Sequence, residues 1–367
     1  SHARQSGKVN LYALFLIKAI NLLKEGGLCG FIIPNNILRT TTYDTIRRFI
    51  LDNCKINKIV DLGAGVFEGV TASTIILILQ KESDGNKRNK NKVVVYSGIH
   101  ESDKKEIEQK NFLDNTSYAF NITLNLKERD FSEKMKVGTI PLGEISIIHA
   151  GGIATGQNKK EMIADFKKNE KYKPMLEGKD IKSYIPEFAN RYILYDRKLL
   201  YRAREEEIFL SPEKLVTQRI GGGNHVLVVS YDDNKYYTFN STNTILPKNK
   251  DYPLKYLVGL LNSRLLNWYY VNKFTNKSTL TVNISKTFLE QLPIKITSET
   301  QQKNIKKMVD QVIDLSRSLL KFGNKQTNER AEIEERKKDT EEEINQEVYK
   351  LYGITAEEQK IMEESLK

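Results

Sequence analysis

The chain has 367 residues, of which 39% are hydrophobic and 29% are charged, a balance typical of a soluble globular protein with more than one domain. No apolar run reaches the roughly 18 residues that a membrane span requires, so we expect no membrane partner. The net charge of +11 and the isoelectric point near 9.2 favour a polyanionic partner, although a lysine-rich surface would give the same charge. Cys29 and Cys54 form neither a metal pattern nor a disulfide framework, and reduced cysteines predict a cytoplasmic protein.

The first segment, residues 1–110, alternates helical and strand patterns. The predicted helices are Leu11–Leu23, Thr42–Leu51 and the charged run Glu101–Lys110, and the predicted strands are Leu28–Ile33, Ile56–Leu62, Thr74–Leu79 and Val93–Tyr96. Thr74–Leu79 is apolar on both faces, which predicts an interior strand. The run Asp84–Lys92 is rich in Gly, Asn, Lys and Arg and predicts a mobile loop. Strands that alternate with helices indicate a doubly wound α/β sheet.

A second, α+β domain is predicted over residues 140–296, after a connector of weak pattern at residues 111–139. Short β runs recur between Gly, Asn and Asp turns, at Ile145–His149, Arg191–Tyr195, Leu215–Arg219, Val226–Tyr231 and Tyr236–Phe239, and helices follow at Tyr252–Asn262 and Leu265–Val271.

Residues 297–367 have a helical pattern throughout. Apolar residues recur at spacings of three and four up to Leu319, and a charge-dense helix follows at Glu329–Lys350. This predicts a helical hairpin or antiparallel coiled coil, through which the chain would self-associate or contact another subunit. A solvated single helix over Arg330–Glu343 is the alternative.

The sequence Asp61-Leu62-Gly63-Ala64-Gly65 after an apolar strand resembles a nucleotide-binding loop. A working loop of that kind opens a helix, so that backbone N–H groups face the ligand. No helix of useful length fits before Thr74, so we predict a strand–loop–strand hairpin and no cofactor site here.

No complete catalytic constellation is present in the sequence. The histidines at positions 2, 100, 149 and 225 have no partner at metal-ligand spacing, and neither a Gly-x-Ser-x-Gly elbow nor an Asn-Pro-Pro-Tyr motif occurs. We therefore assign no catalytic, cofactor-binding or metal-binding residue.

The glycine-rich segment from Gly151 to Lys160 is the first candidate for nucleic-acid contact. Its glycines allow close backbone approach, and the side chains of Thr155, Gln157, Asn158 and Lys159 are suited to phosphates or base edges. The alternative is a polar loop that ends in a helix N-cap.

A second candidate loop, Arg219–His225, combines an arginine with three glycines and the polar tips Asn224 and His225. Arginine binds guanine or phosphate through two parallel hydrogen bonds, whereas the alternative is a hairpin turn with an ion-paired arginine. Lys273 and Lys277 form a third, basic cluster after an aromatic run.

Taken in order, several short segments resemble the C-terminal half of the gamma-class N6-adenine DNA methyltransferases with a TaqI-like specificity domain, including type IIG restriction-modification enzymes. These segments are Gly7–Tyr12, Leu22–Asn35, Val66–Thr71, Gly151–Gly156, Leu176–Ile181, Arg219–Gly223, Leu260–Ser263, Leu289–Ile294 and Val348–Thr355. The resemblance implies a partial Rossmann-like methyltransferase sheet, then a target-recognition domain, then a helical tail.

The same resemblance implies double-stranded DNA as partner, S-adenosylmethionine as the parent enzyme's cofactor, and Mg²⁺ only if a nuclease is fused. The family's cofactor and Asn-Pro-Pro-Tyr motifs precede the segments matched here, so we expect a fragment that is inactive alone. The alternative is a non-catalytic DNA-specificity subunit resembling those of type I restriction systems. If Arg219 reads guanine, its loss should relax one position of the target site, whereas an equal loss on all sequences indicates a phosphate contact.

Overall fold

The computed structural model describes residues 10–63, 65–67, 73–98, 104–122, 126–223, 225–248, 251–275, 282–323 and 325–365, without the side chains of residues 126, 158–160 and 365. The chain forms two compact units, residues 1–124 and 125–367. The division lies inside the predicted connector. Across the described ranges, every helix is too short or too polar to cross a bilayer.

Unit 1 is a five-stranded sheet with helices. The helices are α1 (Leu11–Leu22), α2 (Asp44–Asn53) and α3 (Gly85–Asn89), and the strands are β1 (Leu28–Pro34), β2 (Cys54–Gly63), β3 (Thr74–Lys81), β4 (Lys92–Ser97) and β5 (Lys104–Glu108). The strand order is β1-β3-β2-β4-β5. Only β2 and β4 run parallel among the described pairings, so the sheet is mixed. The predicted interior strand is confirmed: Ile75, Leu77 and Leu79 of β3 are fully buried.

The structure confirms the hairpin predicted in place of a nucleotide-binding loop. β2 and β3 pair antiparallel, and Gly63 lies opposite Thr74 at the end where the loop joins the two strands. β3 is thus the next described strand after β2, as the strand–loop–strand prediction requires.

Two local predictions in unit 1 are wrong. The charged run predicted as the helix Glu101–Lys110 contains β5, because Ile107 pairs with Val93 on β4 and its charged neighbours alternate outward. The predicted loop Asp84–Lys92 contains α3, because the Asp84 side chain accepts hydrogen bonds from the amides of Asn86 and Lys87 and caps the helix.

A fully buried arginine fixes α2 against the loops around it. The Arg47 side chain donates to the carbonyl oxygens of Ile37 at 2.8 Å, Thr40 at 2.9 Å and Ser117 at 2.7 Å. Burial lowers its pKa to about 10, yet it remains protonated at neutral pH. Because these carbonyls lie in irregular segments, the arginine replaces the partners that a regular ladder would give them.

Unit 2 contains ten helices and twelve strands in the part that the structure describes. The helices are α4 (Leu126–Lys134), α5 (Leu142–Ile145), α6 (Lys159–Met162), α7 (Glu206–Leu210), α8 (Leu254–Leu261), α9 (Arg264–Phe274), α10 (Lys286–Leu289), α11 (Glu299–Phe322), α12 (Asn328–Tyr352) and α13 (Ala356–Ser365). The strands are β6 (Thr139–Pro141), β7 (Ser146–Ala150), β8 (Ile163–Ala164), β9 (Tyr172–Leu176), β10 (Tyr192–Leu194), β11 (Lys214–Gln218), β12 (Ile220–Gly221), β13 (Val229–Asp232), β14 (Tyr237–Thr238), β15 (Thr242–Pro247), β16 (Val282–Asn283) and β17 (Pro293–Lys295).

The strands of unit 2 form two four-stranded sheets and two small pairs. The antiparallel sheet β13-β11-β15-β7 packs against α8, and the second sheet has the order β14-β9-β10-β8. β12 pairs with β16, and β17 pairs with β6. The predicted α+β character of this region is therefore observed, with shorter strands than the sequence pattern indicated.

The helical tail shares the core of this α+β region. Ile305 and Val309 of α11 and Ile344 of α12 belong to the same buried cluster as α8 and α9. Gly259 of α8 makes this contact possible, since a Cβ there would lie 2.9 Å from the methyl groups of Ile305 and Val309. The tail predicted as a separate segment thus folds as part of unit 2.

A buried ion pair joins β13, the edge strand of the sheet β13-β11-β15-β7, to its neighbour β11. Lys214 on β11 and Asp232 on β13 are both fully buried, with Nζ and Oδ2 2.6 Å apart. Lys214 also donates to the carbonyl of Phe209, and Asp232 accepts from the amides of Asn234 and Tyr236. Burial lowers the pKa of Lys214 and raises that of Asp232, so the charged pair depends on all of these contacts.

We predict that Lys214→Met lowers the free energy of unfolding by about 3–5 kcal/mol, because it leaves the Asp232 carboxylate buried without a cation. Urea unfolding monitored by circular dichroism measures the change. Lys167→Met is the control, since Lys167 pairs with Glu170 at the surface and its loss should cost less than about 1 kcal/mol. Equal effects of the two substitutions would contradict the assignment.

We predict that Gly259→Val destabilises unit 2 by about 1–3 kcal/mol, because the added methyl groups must displace Ile305 and Val309. The control Lys307→Val places the same side chain on an exposed position of α11. Thermal unfolding of both variants gives the comparison, and a Gly259→Val protein as stable as the control would show that α11 does not pack on α8.

Candidate nucleic-acid interface

The two glycine-rich loops predicted from the sequence leave the same end of one sheet. β7 and β11 each pair antiparallel with β15, so β7 and β11 run in the same direction. The turn before β15 lies between their ends: Gly151 donates to the carbonyl of Thr242, and Arg219 donates to that of Ser241, both at 2.9 Å. Loops that are separated by 58 residues in the sequence are therefore neighbours.

A close backbone contact fixes the first loop. The amides of Gly152 and Ile153 donate to the carbonyls of Phe239 and Thr238, at 3.2 and 2.8 Å. A Cβ at Gly152 would lie 1.9 Å from the Thr238 oxygen, so only glycine fits. Gly151 has φ +67°, a conformation that glycine adopts without strain.

Three arginines converge on Gly151, and we call Arg202, Arg204 and Arg219 the arginine cluster. Arg204 donates through Nε to the Gly151 carbonyl at 3.1 Å and through Nη2 to that of Ala150. Arg219 donates through Nη1 to the carbonyl of Asn240 at 3.1 Å. The Nη2 of Arg202 lies 2.9 Å, and the Nη1 of Arg219 3.6 Å, from the position that a Cβ on Gly151 would occupy.

The arginine cluster has no carboxylate partner among the described residues. The acidic residues that follow it are engaged elsewhere: Glu205 pairs with Arg197 at 2.9 Å, and Glu206 accepts from the Tyr237 hydroxyl. Burial lowers the pKa of the Arg219 guanidinium, and the charges of Arg202 and Arg204 lower it further. The region is therefore an uncompensated concentration of positive charge.

The positive charges of this region also affect a histidine beside the arginine cluster. Burial lowers the pKa of His149 on β7, and the nearby charges of Arg204 and Lys286 lower it further. The neutral form of His149 is therefore favoured, and a negative charge bound nearby would raise its pKa again.

The structure describes the side chains of five of the nine residues predicted to contact DNA. Arg219 lies in the arginine cluster, and Gln157 is exposed on the turn Gly156–Asn158. Thr155 is only 4% exposed. Lys273 is mostly buried, and its Nζ lies 3.3 Å from Glu133. Burial lowers the pKa of His225, whose partly buried ring lies at the end of the second loop.

The other predicted contacts lie outside this description. Asn224 and Lys277 are outside the described residues, as are the side chains of Asn158 and Lys159. All nine assignments stay predictions, and the placement favours Arg219 and Gln157 over Thr155 and Lys273 because only accessible groups can reach a duplex.

Buried asparagines hold the chain that follows the second loop. The Oδ1 of Asn267 accepts from the amides of Val226 and Leu227 at 2.9 and 3.0 Å. Asn262 accepts from the Val229 amide and donates to the Val229 carbonyl. The segment Leu260-Leu261-Asn262-Ser263, noted as a family motif, thus acts as a polar anchor for β13.

Sequence reasoning missed Arg202 and Arg204. The signal was present as Tyr201-Arg202-Ala203-Arg204, an aromatic residue followed by two alternating arginines. Tyr201 is 82% exposed and packs beside Gly156 of the first loop. The sequence pattern did not indicate these four residues, because neither a glycine nor a strand pattern accompanies them.

The sequence matches two protein families. Residues 173–294 match the TaqI-like C-terminal specificity domain, and residues 1–67 match the Eco57I restriction-modification methylase. All three members of the arginine cluster lie within the first match.

Individual relatives agree with these families. The putative type II restriction enzyme and methyltransferase RM.MjaORFECS2P of Methanocaldococcus jannaschii is 25% identical over 307 residues, which cover 79% of this chain and 25% of that protein. The type II methyltransferase M.BanIII of Aneurinibacillus aneurinilyticus is 39% identical over 80 residues, covering 22% of this chain and 14% of its own length. This chain therefore spans a quarter or less of either relative.

Among solved structures, the type IIL restriction-modification enzyme MmeI in complex with DNA aligns with a TM-score of 0.53. The alignment covers 97% of this chain and 51% of the MmeI chain at 12% identity, a level that shows a shared fold alone. Together, the two family matches confirm the resemblance predicted from the sequence: one segment of the chain is similar to the Eco57I restriction-modification methylase and a later one to the TaqI-like C-terminal specificity domain, and the relatives named above are a putative type II restriction enzyme and methyltransferase and a type II methyltransferase.

Proposed function

We propose that this chain is the DNA-recognition part of a type II restriction-modification methyltransferase. One observation carries the proposal: inside the segment that matches a specificity domain, three arginines meet at the junction of two glycine-rich loops, and none has a carboxylate partner in the part of the chain that the structure describes. Duplex DNA carries a dense row of phosphates, so clustered arginines on an accessible face suit its backbone.

We further propose that the parent enzyme transfers a methyl group from S-adenosylmethionine to the exocyclic amine of adenine. The match of residues 1–67 to a restriction-modification methylase supports this over a non-catalytic specificity subunit. In this proposal the mixed sheet of unit 1 is the rear part of the methyltransferase sheet, and double-stranded DNA is the substrate. The helical tail would supply any subunit contact.

We assign none of the described residues to S-adenosylmethionine. The acidic, glycine-containing sequence that begins at Asp61 ends β2 at Gly63, and β2 pairs antiparallel with β3, the next described strand. A nucleotide-binding loop leads from its strand into a helix. No catalytic step is therefore derived for this chain, and its contribution is to hold and read the duplex.

Holding the DNA duplex and reading its base sequence require different contacts. Phosphate contacts set the position of the protein on the duplex, and contacts with base edges supply sequence information. Gln157 is the described candidate for a base contact because its amide is exposed on a short turn, and an amide can pair with adenine through two hydrogen bonds.

We predict that the chain binds duplex DNA and enriches one motif from a random duplex library. Binding should weaken as salt rises, because DNA binding releases counterions. Fluorescence anisotropy at several salt concentrations and sequencing of selected duplexes measure both properties. Binding of heparin and DNA alike, with no enriched motif, would contradict the recognition role.

We predict that Gln157→Ala relaxes one position of the selected motif, with a loss of about 1–3 kcal/mol on the preferred duplex and little change on others. Gln311→Ala, at an exposed position of α11, is the control and should leave the motif unchanged. A uniform loss across all sequences would remove Gln157 from base reading.

A further inference from the structure

We propose that the arginine cluster is a single binding site for a backbone phosphate of DNA, so that Arg219 positions the duplex instead of reading guanine. This inference rests on the proposed DNA-recognition function and names the ligand of one site within it. It also assigns Arg202 and Arg204, which the sequence pattern did not indicate, to the same ligand.

Two of the three guanidinium groups are held in place before any ligand arrives. Arg204 is fixed by the carbonyls of Ala150 and Gly151, and Arg219 by the carbonyl of Asn240. A carbonyl oxygen orients a guanidinium without neutralising it. The site therefore has the fixed geometry that phosphate recognition by arginine uses, while its positive charge stays available.

The chemistry of the cluster favours an anion over a base edge. Three positive charges gathered beside Gly151 repel one another: burial lowers the pKa of Arg219, and this repulsion lowers it further. A guanine edge is neutral and leaves the repulsion in place, whereas a phosphate offsets it with a full negative charge. Arginine forks also match the oxygens of a phosphate geometrically.

The three arginines of the cluster differ in solvent exposure. Arg202 is exposed, whereas Arg204 and Arg219 are half-buried behind it. Among the described residues the Arg202 side chain has no hydrogen-bond partner, so all of its donors can turn towards a ligand. The exposed ring of Tyr201 lies beside Gly156 on the first glycine-rich loop, so an aromatic side chain is available next to Arg202.

The test measures duplex binding by Arg202→Ala, Arg219→Ala and the double variant, each over a range of salt concentrations. We expect each single variant to bind about tenfold more weakly on every sequence. The dependence of log K on log[salt] should become shallower by about 1 for each single substitution. Arg202→Lys should keep the salt dependence because it keeps the charge.

Arg197→Ala is the matched control, because Arg197 is an exposed arginine five residues before Arg202 that pairs with Glu205. It removes the same charge and should leave affinity and salt dependence unchanged. Thermal unfolding of each variant shows whether the fold is retained. Arg202→Ala removes no described side-chain hydrogen bond or ion pair, so it keeps the test interpretable if Arg219→Ala is unstable.

The outcomes are separable. If the unmodified chain fails to bind DNA, the proposed function fails. If it binds and the cluster variants match Arg197→Ala, the phosphate site is overturned. If Arg219→Ala loses one motif position while its salt dependence stays the same, Arg219 reads a base and the inference is equally overturned. A uniform loss with a shallower salt dependence supports the phosphate site.

Discussion

The main chain at Gly152 lies so close to the Thr238 carbonyl that a side-chain carbon there would meet the oxygen at 1.9 Å. This contact directs the first loop across the end of the sheet towards Arg219. Ala154 then pairs with Arg202 through both backbone hydrogen bonds, which brings the Arg202–Arg204 segment to the same place. The arginine cluster is thus a consequence of backbone packing, and the charges meet because a glycine lets the chains approach.

Buried polar groups maintain this arrangement from behind. Asn267 accepts hydrogen bonds from the main chain after the second loop, and Asn262 bonds the start of β13. Lys214 and Asp232 tie β11 to β13. Each of these groups costs free energy to bury and is offset by well-placed partners. Each of these buried polar groups is satisfied only when its particular partners are in place. The groups therefore favour one arrangement of the strands that carry the loops, and apolar packing alone would specify that arrangement less strictly.

Sequence reasoning located the long helices α1, α2, α11 and α12 and the strands of unit 1 other than β5, because hydrophobic periodicity is local information. The prediction was wrong at β5, because the charged sequence of this edge strand resembles that of an exposed helix. Only the pairing of Ile107 with Val93 identifies it as a strand. Sequence reasoning placed Arg219 among the candidate contacts but missed Arg202 and Arg204, since their convergence on Gly151 depends on long-range pairing. It also could not show that Lys273 pairs with Glu133, because no pattern links residues so distant in sequence.

The shared core of α8, α11 and α12 has a consequence for altering specificity. Since Gly259 lets α11 lie directly on α8, the boundary that the sequence suggests near residue 297 cuts through packed side chains. A chimaera joined there would expose Ile305, Val309 and Ile344. Residues 126–365 are better exchanged as one block, whereas the glycine-rich loops can vary separately because they lie at the end of the sheet. New target sequences can then arise in the loops while the core that holds them stays constant.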